Sequence, residues 1–230
     1  MKRSLLHELM HRTSVNGFFT ARNVITRSGK RRRALYASRF GQLATESPLE
    51  WDLIARMDGS WACSEVLTQA LQFVIPSRSS ESFLYTPDAC ARDRDEGIRI
   101  VECKPESMLD VLTKRHHEEI RSYFGSLDIK FLVVTESELV RGVRHENAIL
   151  LGDNFQRSLK PAKVRELRER TAASSSRTFG ALTHALGFRD ARTALARGFA
   201  YFDTVAPLSA DTPLFEEFRE AHDAADFLYA

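Results

Sequence analysis

The 230-residue sequence predicts an α/β protein, with a mixed sheet flanked by helices and then a small, mainly helical region. Three observations carry this. Between residues 47 and 135, short β-rich apolar runs alternate with helix-periodic stretches. The run through Phe131, Leu132, Val133 and Val134 has the near-continuous apolar character of a strand buried inside a mixed sheet. Beyond Lys160 the pattern changes to short helices punctuated by glycine.

Taken in order, residues 1–45 alternate small apolar pieces with basic clusters. Ser28-Gly29-Lys30 followed by three arginines reads as an exposed turn, so this segment is expected to form a basic N-terminal arm rather than part of a core. Ser47-Pro48 is an N-cap with proline at the first helical position, and Leu49, Leu53, Ile54 and Met57 recur at helical spacing until Asp58-Gly59. Val66-Leu67 and residues 71–75 suit a strand running into the turn marked by Pro76 and the serines after it. Residues 82–86 and 98–101 are two β-rich runs joined by a charged loop and read as a hairpin. Residues 107–125 are helix-periodic through Met108, Leu112, Ile120 and Phe124. The order αβββαβ thus fills a domain over residues 46–145.

After Gly142 the pattern loosens. A second region over residues 155–230 contains a charged helix at 163–170, a helix at 178–186 ended by Gly187, and a third at 191–196 ended by Gly198. With Phe199, Tyr201 and Phe202 as a β-wing, this is a winged-helix-like order. A plain helical cap is the alternative, with these aromatics as its core.

No apolar stretch approaches the roughly 18–20 residues of a membrane span, and the first residues lead into charged sequence rather than a signal peptide. The three cysteines, Cys63, Cys90 and Cys103, form neither an even disulfide set nor a CxxC pair, so a reducing, cytoplasmic setting without membrane is expected. The net charge of +2 hides an asymmetry. Residues 1–41 hold ten lysines and arginines against one glutamate, and residues 203–230 hold seven acids against one arginine. A basic segment of that density attracts polyphosphate by counterion release. Arg22, Lys30, Arg31, Arg32, Arg33 and Arg39 are its candidate contacts to double-stranded DNA.

Four residues stand out chemically: Glu50 on the first helix, Asp88 after Thr86-Pro87, and Glu102 and Lys104 on the later strand. Residues two apart on a strand share a face, so Glu102 and Lys104 point together and an antiparallel neighbour can bring Asp88 beside them, with Cys103 facing away. Converging carboxylates are costly unless they hold cations, and hard oxygen ligands suit Mg2+, with Mn2+ as a substitute. Such a site suits phosphodiester hydrolysis, with Lys104 holding water or offsetting charge on the phosphorus. His116 and His117, about 100° apart on the next helix, cannot both face the acids, and a solvated helix face is expected of them.

Pro87-Asp88 with Glu102-Cys103-Lys104 resembles the PD-(D/E)xK nuclease signature. In the order Glu50, Gln69, Tyr85-Thr86-Pro87-Asp88, Val101-Glu102-Cys103-Lys104-Pro105 and Phe131 to Glu136, the sequence resembles the TnsA family, the endonuclease subunits of heteromeric transposases. The resemblance covers roughly residues 30–140 and continues weakly toward Thr212. It implies a restriction-endonuclease-like fold with a winged-helix C-terminal domain, and cleavage at the 5′ transposon ends. It also implies a TnsB-like transposase and a TnsC-like ATPase regulator as partners. Glu50, Asp88 and Glu102 become metal-binding acids and Lys104 the catalytic lysine. Ala70 and Ala89 depart from the family's usual proline and aromatic residue, which touches substrate contacts and removes no catalytic group. A stand-alone restriction- or repair-type nuclease and a non-catalytic DNA-binding assembly protein are the competing expectations.

Overall fold

The computed structural model describes residues 4–13, 34–77, 81–139, 141–218 and 222–229. It is a mixed α/β structure with seven α-helices among those residues, and none of them is long and apolar enough to cross a membrane. The chain divides into two compact units. The first comprises residues 1–54 and 63–139, the second residues 55–62 and 140–230. Arg22, Lys30, Arg31, Arg32 and Arg33 lie outside the described residues.

The first unit is built on a four-stranded sheet of order β3-β6-β7-β8, from Cys63–Thr68 (β3), Ala89–Asp93 (β6), Ile98–Cys103 (β7) and Lys130–Val134 (β8). β6 pairs antiparallel with both β3 and β7, and β8 lies parallel to β7, pairing Ile100 with Phe131 and Cys103 with Val134. A parallel pair needs a long crossover, and helix Val111–Gly125 (α3) supplies it, started by the Asp110 side chain accepting from Thr113 N at 2.7 Å. Every residue of β6 is buried, as befits an inner strand.

The expected hairpin between residues 82–86 and 98–101 is corrected here. Phe83–Tyr85 (β5) pairs instead with Phe73–Ile75 (β4) as a separate two-stranded ribbon, and the true partner of β7 is β6. Ala89-Cys90-Ala91-Arg92-Asp93 has small and charged residues rather than a β-rich signature, so burial rather than propensity makes it a strand. The single expected strand across residues 66–75 is likewise two strands, broken at Gln69, whose φ is +47°.

Residues near the N-terminus also differ from an exposed arm. Helix Leu5–Thr13 (α1) buries Leu5 and Leu9 completely among Phe73, Ile98, Ile100, Phe124 and Phe131. Complete burial of one such side chain contributes about 1.5–3 kcal/mol. Glu65 on β3 accepts from Leu5 N at 2.9 Å, capping the helix, and Glu8 pairs with the nearly buried Arg92 at 2.8 Å. Ala34–Ser38 (β1) and Gly41–Thr45 (β2) form an antiparallel hairpin. Helix Pro48–Asp58 (α2) follows, with its residues through Ile54 in the first unit.

In the second unit, helices Val143–Phe155 (α4), Pro161–Ser174 (α5), Phe179–Leu186 (α6) and Phe188–Ala196 (α7) enclose a core of Trp61, Leu151, Leu167, Leu182, Leu195 and Phe202. The Trp61 indole donates to Leu195 O at 2.8 Å and meets Tyr201 edge-on, with centroids 5.2 Å apart. Thr178 caps α6 as its sequence position predicts, and Gly187, at φ +83°, makes the turn into α7. Gly59 is required: a Cβ there would stand 2.2 Å from Ala148 O. The expected wing is reduced to one antiparallel bridge, Tyr201 to Phe215. The acidic C-terminal segment is partly internal, since buried Asp223 accepts from Trp61 N and Ala225 N, both at 2.8 Å, and from the Ser60 hydroxyl.

Candidate active site

The four candidate residues come together at the open end of the β6–β7 hairpin. Ala89 pairs with Val101, so Asp88, one residue before β6, stands opposite Glu102. Cys103 N donates to Asp88 Oδ2 at 2.8 Å, and Lys104 N donates to Val134 O at 3.1 Å, extending β7 beyond its last paired residue. Glu102 and Lys104 share a face as strand alternation requires, with Lys104 Nζ 2.7 Å from Glu102 Oε1. The other carboxylate oxygen, Glu102 Oε2, accepts from the Tyr85 hydroxyl at 2.9 Å.

Glu50 reaches this end of the hairpin from the first turn of α2. Its backbone N donates to Ser47 Oγ at 3.1 Å, and its Oε2 accepts from Glu46 N at 2.7 Å. This is close to a capping box, so Glu50 serves the helix as well as the site. Gln69 Nε2 donates to the same oxygen at 3.3 Å. The bonds to Asp88 and Glu50 therefore fall on one oxygen of each, Oδ2 and Oε2.

Electrostatics mark this cluster. Burial pushes the Asp88 carboxyl up to about 8, and the charges of Glu102 and Glu50 add to the rise. Burial also raises Glu50, helped by the charge of Glu46 and opposed by its hydrogen bonds. For Lys104, burial pulls the pKa down, but the charge and hydrogen bond of Glu102 outweigh it and hold the ammonium above its ordinary value. Tyr85 is driven well above the usual phenol range, by burial first and then by Glu102, and so remains a donor. Cys103 is buried and pushed well above the usual thiol range, which keeps it a packing residue as its strand position predicts.

Two neighbours escaped sequence reasoning in different ways. His117 is buried, with its ring 5.7 Å from that of Phe131, and burial lowers its pKa; it feels the charges of Glu102 and Lys104. This corrects the expected solvated face, which holds only for His116, stacked 4.3 Å from Phe83. Tyr85 lies on a strand whose pairing the sequence does not disclose, so its hydrogen bond to Glu102 had no local signal. Gln69 had one, its place between the other site residues in the ordered set. Arg39, the described member of the expected DNA contacts, donates to Cys63 O at 2.7 Å and lies over the Phe40 ring, so it takes part in the fold.

The donor set consists of carboxylate and amide oxygens with one ammonium, the chemistry hard divalent cations take. Among the described residues no group of three or more histidine, cysteine, aspartate or glutamate side chains stands close enough together to hold a metal ion as it is. As they stand, Lys104 and Tyr85 occupy both oxygens of Glu102. Compared with protein-family models and with curated proteins, the chain has no match.

Proposed function

We propose that this chain is a metal-dependent endodeoxyribonuclease of the TnsA kind, the subunit that hydrolyses a phosphodiester at the 5′ ends of a transposon. In this reading the first unit is a restriction-endonuclease-like domain and the second a winged-helix-like domain that docks a TnsB-like transposase or TnsC-like regulator. The observation that carries the reading is the excess of negative charge at the open end of β6–β7: Glu50, Asp88 and Glu102 stand together with one lysine, and Asp88 is pushed to about 8. An excess of this kind is characteristic of sites that work on a substrate or a cation rather than of sites that hold a fold.

Asp88, Glu102 and Glu50 would hold Mg2+, or Mn2+ in its place. Bound there, the ion would polarise the scissile phosphate and lower the pKa of an attacking water. The residues do the rest. Tyr85 and Gln69 hold the carboxylates of Glu102 and Glu50 in place. Lys104, kept protonated beside Glu102, acts as a fixed positive charge facing the phosphate. An ammonium held above its ordinary pKa is a poor base, so of the two roles expected of Lys104, stabilising charge on the pentacoordinate phosphorus is favoured. The basic residues Arg22, Lys30, Arg31, Arg32 and Arg33 would grip the DNA backbone.

The test is Mg2+- and Mn2+-dependent nicking of labelled duplex DNA carrying candidate element ends, with the chain alone and with the product of an adjacent transposase gene. Cleavage that needs the partner and disappears in Lys104→Ala supports the transposase-subunit reading. Cleavage by the chain alone would move it to an independent restriction- or repair-type nuclease. No cleavage in either case would leave a DNA-binding assembly role.

A further inference from the structure

Gln69 is an unusual residue in an unusual place. It ends β3 in the left-handed region at φ +47°, a conformation that glycine and asparagine adopt more readily and that costs other residues about 1–2 kcal/mol. It is only 4% exposed. Its backbone N donates to Asp88 O at 3.3 Å and its side-chain Nε2 donates to Glu50 Oε2 at 3.3 Å, so one residue ties the segment carrying Asp88 to the helix carrying Glu50. Its side-chain carbonyl, Oε1, is buried and has no hydrogen-bond partner. A buried acceptor left unpaired costs about 1–3 kcal/mol, and such an atom in a folded protein commonly marks the place of a water or an ion.

These facts converge on one chemistry. A strained backbone, an unpaired acceptor and three neighbouring carboxylates are each unfavourable without a cation and mutually compatible with one. An amide carbonyl is a hard, neutral oxygen, the ligand type that completes a divalent-cation shell without adding negative charge. We propose that Gln69 Oε1 is a ligand of the divalent cation held by Asp88, Glu50 and Glu102. The proposal rests on the cation site of the preceding reading and adds a neutral fourth ligand to it. The side chain then has two roles, with its NH2 group fixing Glu50 and its carbonyl facing the ion.

The experiment is a Mn2+ titration of the full chain without DNA, read by electron paramagnetic resonance, on wild type, D88N, Q69L, Q69N and Q69E. Melting curves confirm that each is folded. Q69N tolerates the left-handed backbone and keeps the amide one methylene short, so it guards against Q69L failing to fold. Wild type is expected to bind and D88N to lose binding, with Q69L and Q69N weakened by about 10–100-fold. Q69E is expected to keep most of the affinity, because a carboxylate oxygen still ligates. Wild-type affinity in Q69L or Q69N with loss in D88N would overturn the ligand role and leave the cation site standing. Weaker binding in Q69E than in Q69L would also overturn it, since repulsion of Glu50 would then dominate and the residue would act only as a donor. Absence of Mn2+ binding in wild type would overturn the cation site itself and this proposal with it.

Discussion

The β6–β7 hairpin carries buried acids at both ends, and the two ends are built on opposite principles. At the closed end, Asp93 is 1% exposed and fully answered: Arg99 reaches it at 2.6 Å and Gly97 N donates to it at 2.6 Å, which closes the turn. At the open end, Asp88 receives one backbone hydrogen bond, faces Glu50 and Glu102, and shares a single lysine with them. Two acids on one hairpin thus serve different purposes. A buried carboxylate matched to its own cation stabilises a turn, whereas a group of carboxylates short of positive charge is kept for a ligand.

The largest contrast should come from removing the cation at each end. Lys104→Ala is expected to reduce phosphodiester cleavage by about 10²–10⁴-fold, with the melting temperature nearly unchanged. Arg99→Ala strands the buried Asp93 and should destabilise the fold by about 3–5 kcal/mol, while the open end keeps its residues. Paired nicking assays and melting curves check both. Equal loss of stability in the two variants would erase the distinction between the ends.

Neutralising the acids should sharpen it further, because the two changes have opposite signs. Asp88→Asn relieves like-charge crowding and is expected to stabilise the metal-free chain by about 1–2 kcal/mol while abolishing cleavage, a trade of stability against function. Asp93→Asn removes half of a satisfied pair and should destabilise. Chemical denaturation of the two variants side by side gives both signs.

Much of this was readable from the sequence where the signal is local. The cap Ser47-Pro48, the spacing of Asp88, Glu102 and Lys104, and the helices around Gly187 and Gly198 all depend on residues close in sequence, and the elements and contacts follow those expectations. What was not readable depends on long-range partners. Helix α4 escaped because its buried face is His145, Asn147, Ala148, Leu151 and Gly152, mostly polar or small, so no apolar stripe announces it. β6 escaped because Arg92 and Asp93 are buried through Glu8 and Arg99, neither of which is identifiable as a partner before folding. In the site, the acids and lysine were visible by type, while Tyr85 required knowledge of which strand pairs with which.

A smaller effect follows from pH. Asp88 has a folded-state pKa of about 8 against 3.8 in its ordinary state, so between those values the folded chain binds more protons than the unfolded one. Its contribution to stability is present below about pH 4 and is lost as pH rises through about 8. The metal-free melting temperature should therefore fall from pH 5 to pH 8.5, with the slope flattened in Asp88→Asn. The smallest effect concerns the N-terminal basic cluster. Neutralising Arg31, Arg32 and Arg33 should weaken DNA binding and lower the salt slope by about 0.9 for each phosphate no longer neutralised, as fluorescence anisotropy over a range of salt would measure.

The most direct test of the account is the titration of Asp88 itself, followed by carboxyl carbon NMR on the metal-free chain and again with Mg2+. The account predicts a titration near 8 without metal and a large downward shift when Mg2+ is added. A titration near 4 that Mg2+ does not move would contradict it, because the open end of the hairpin would then carry no unanswered charge.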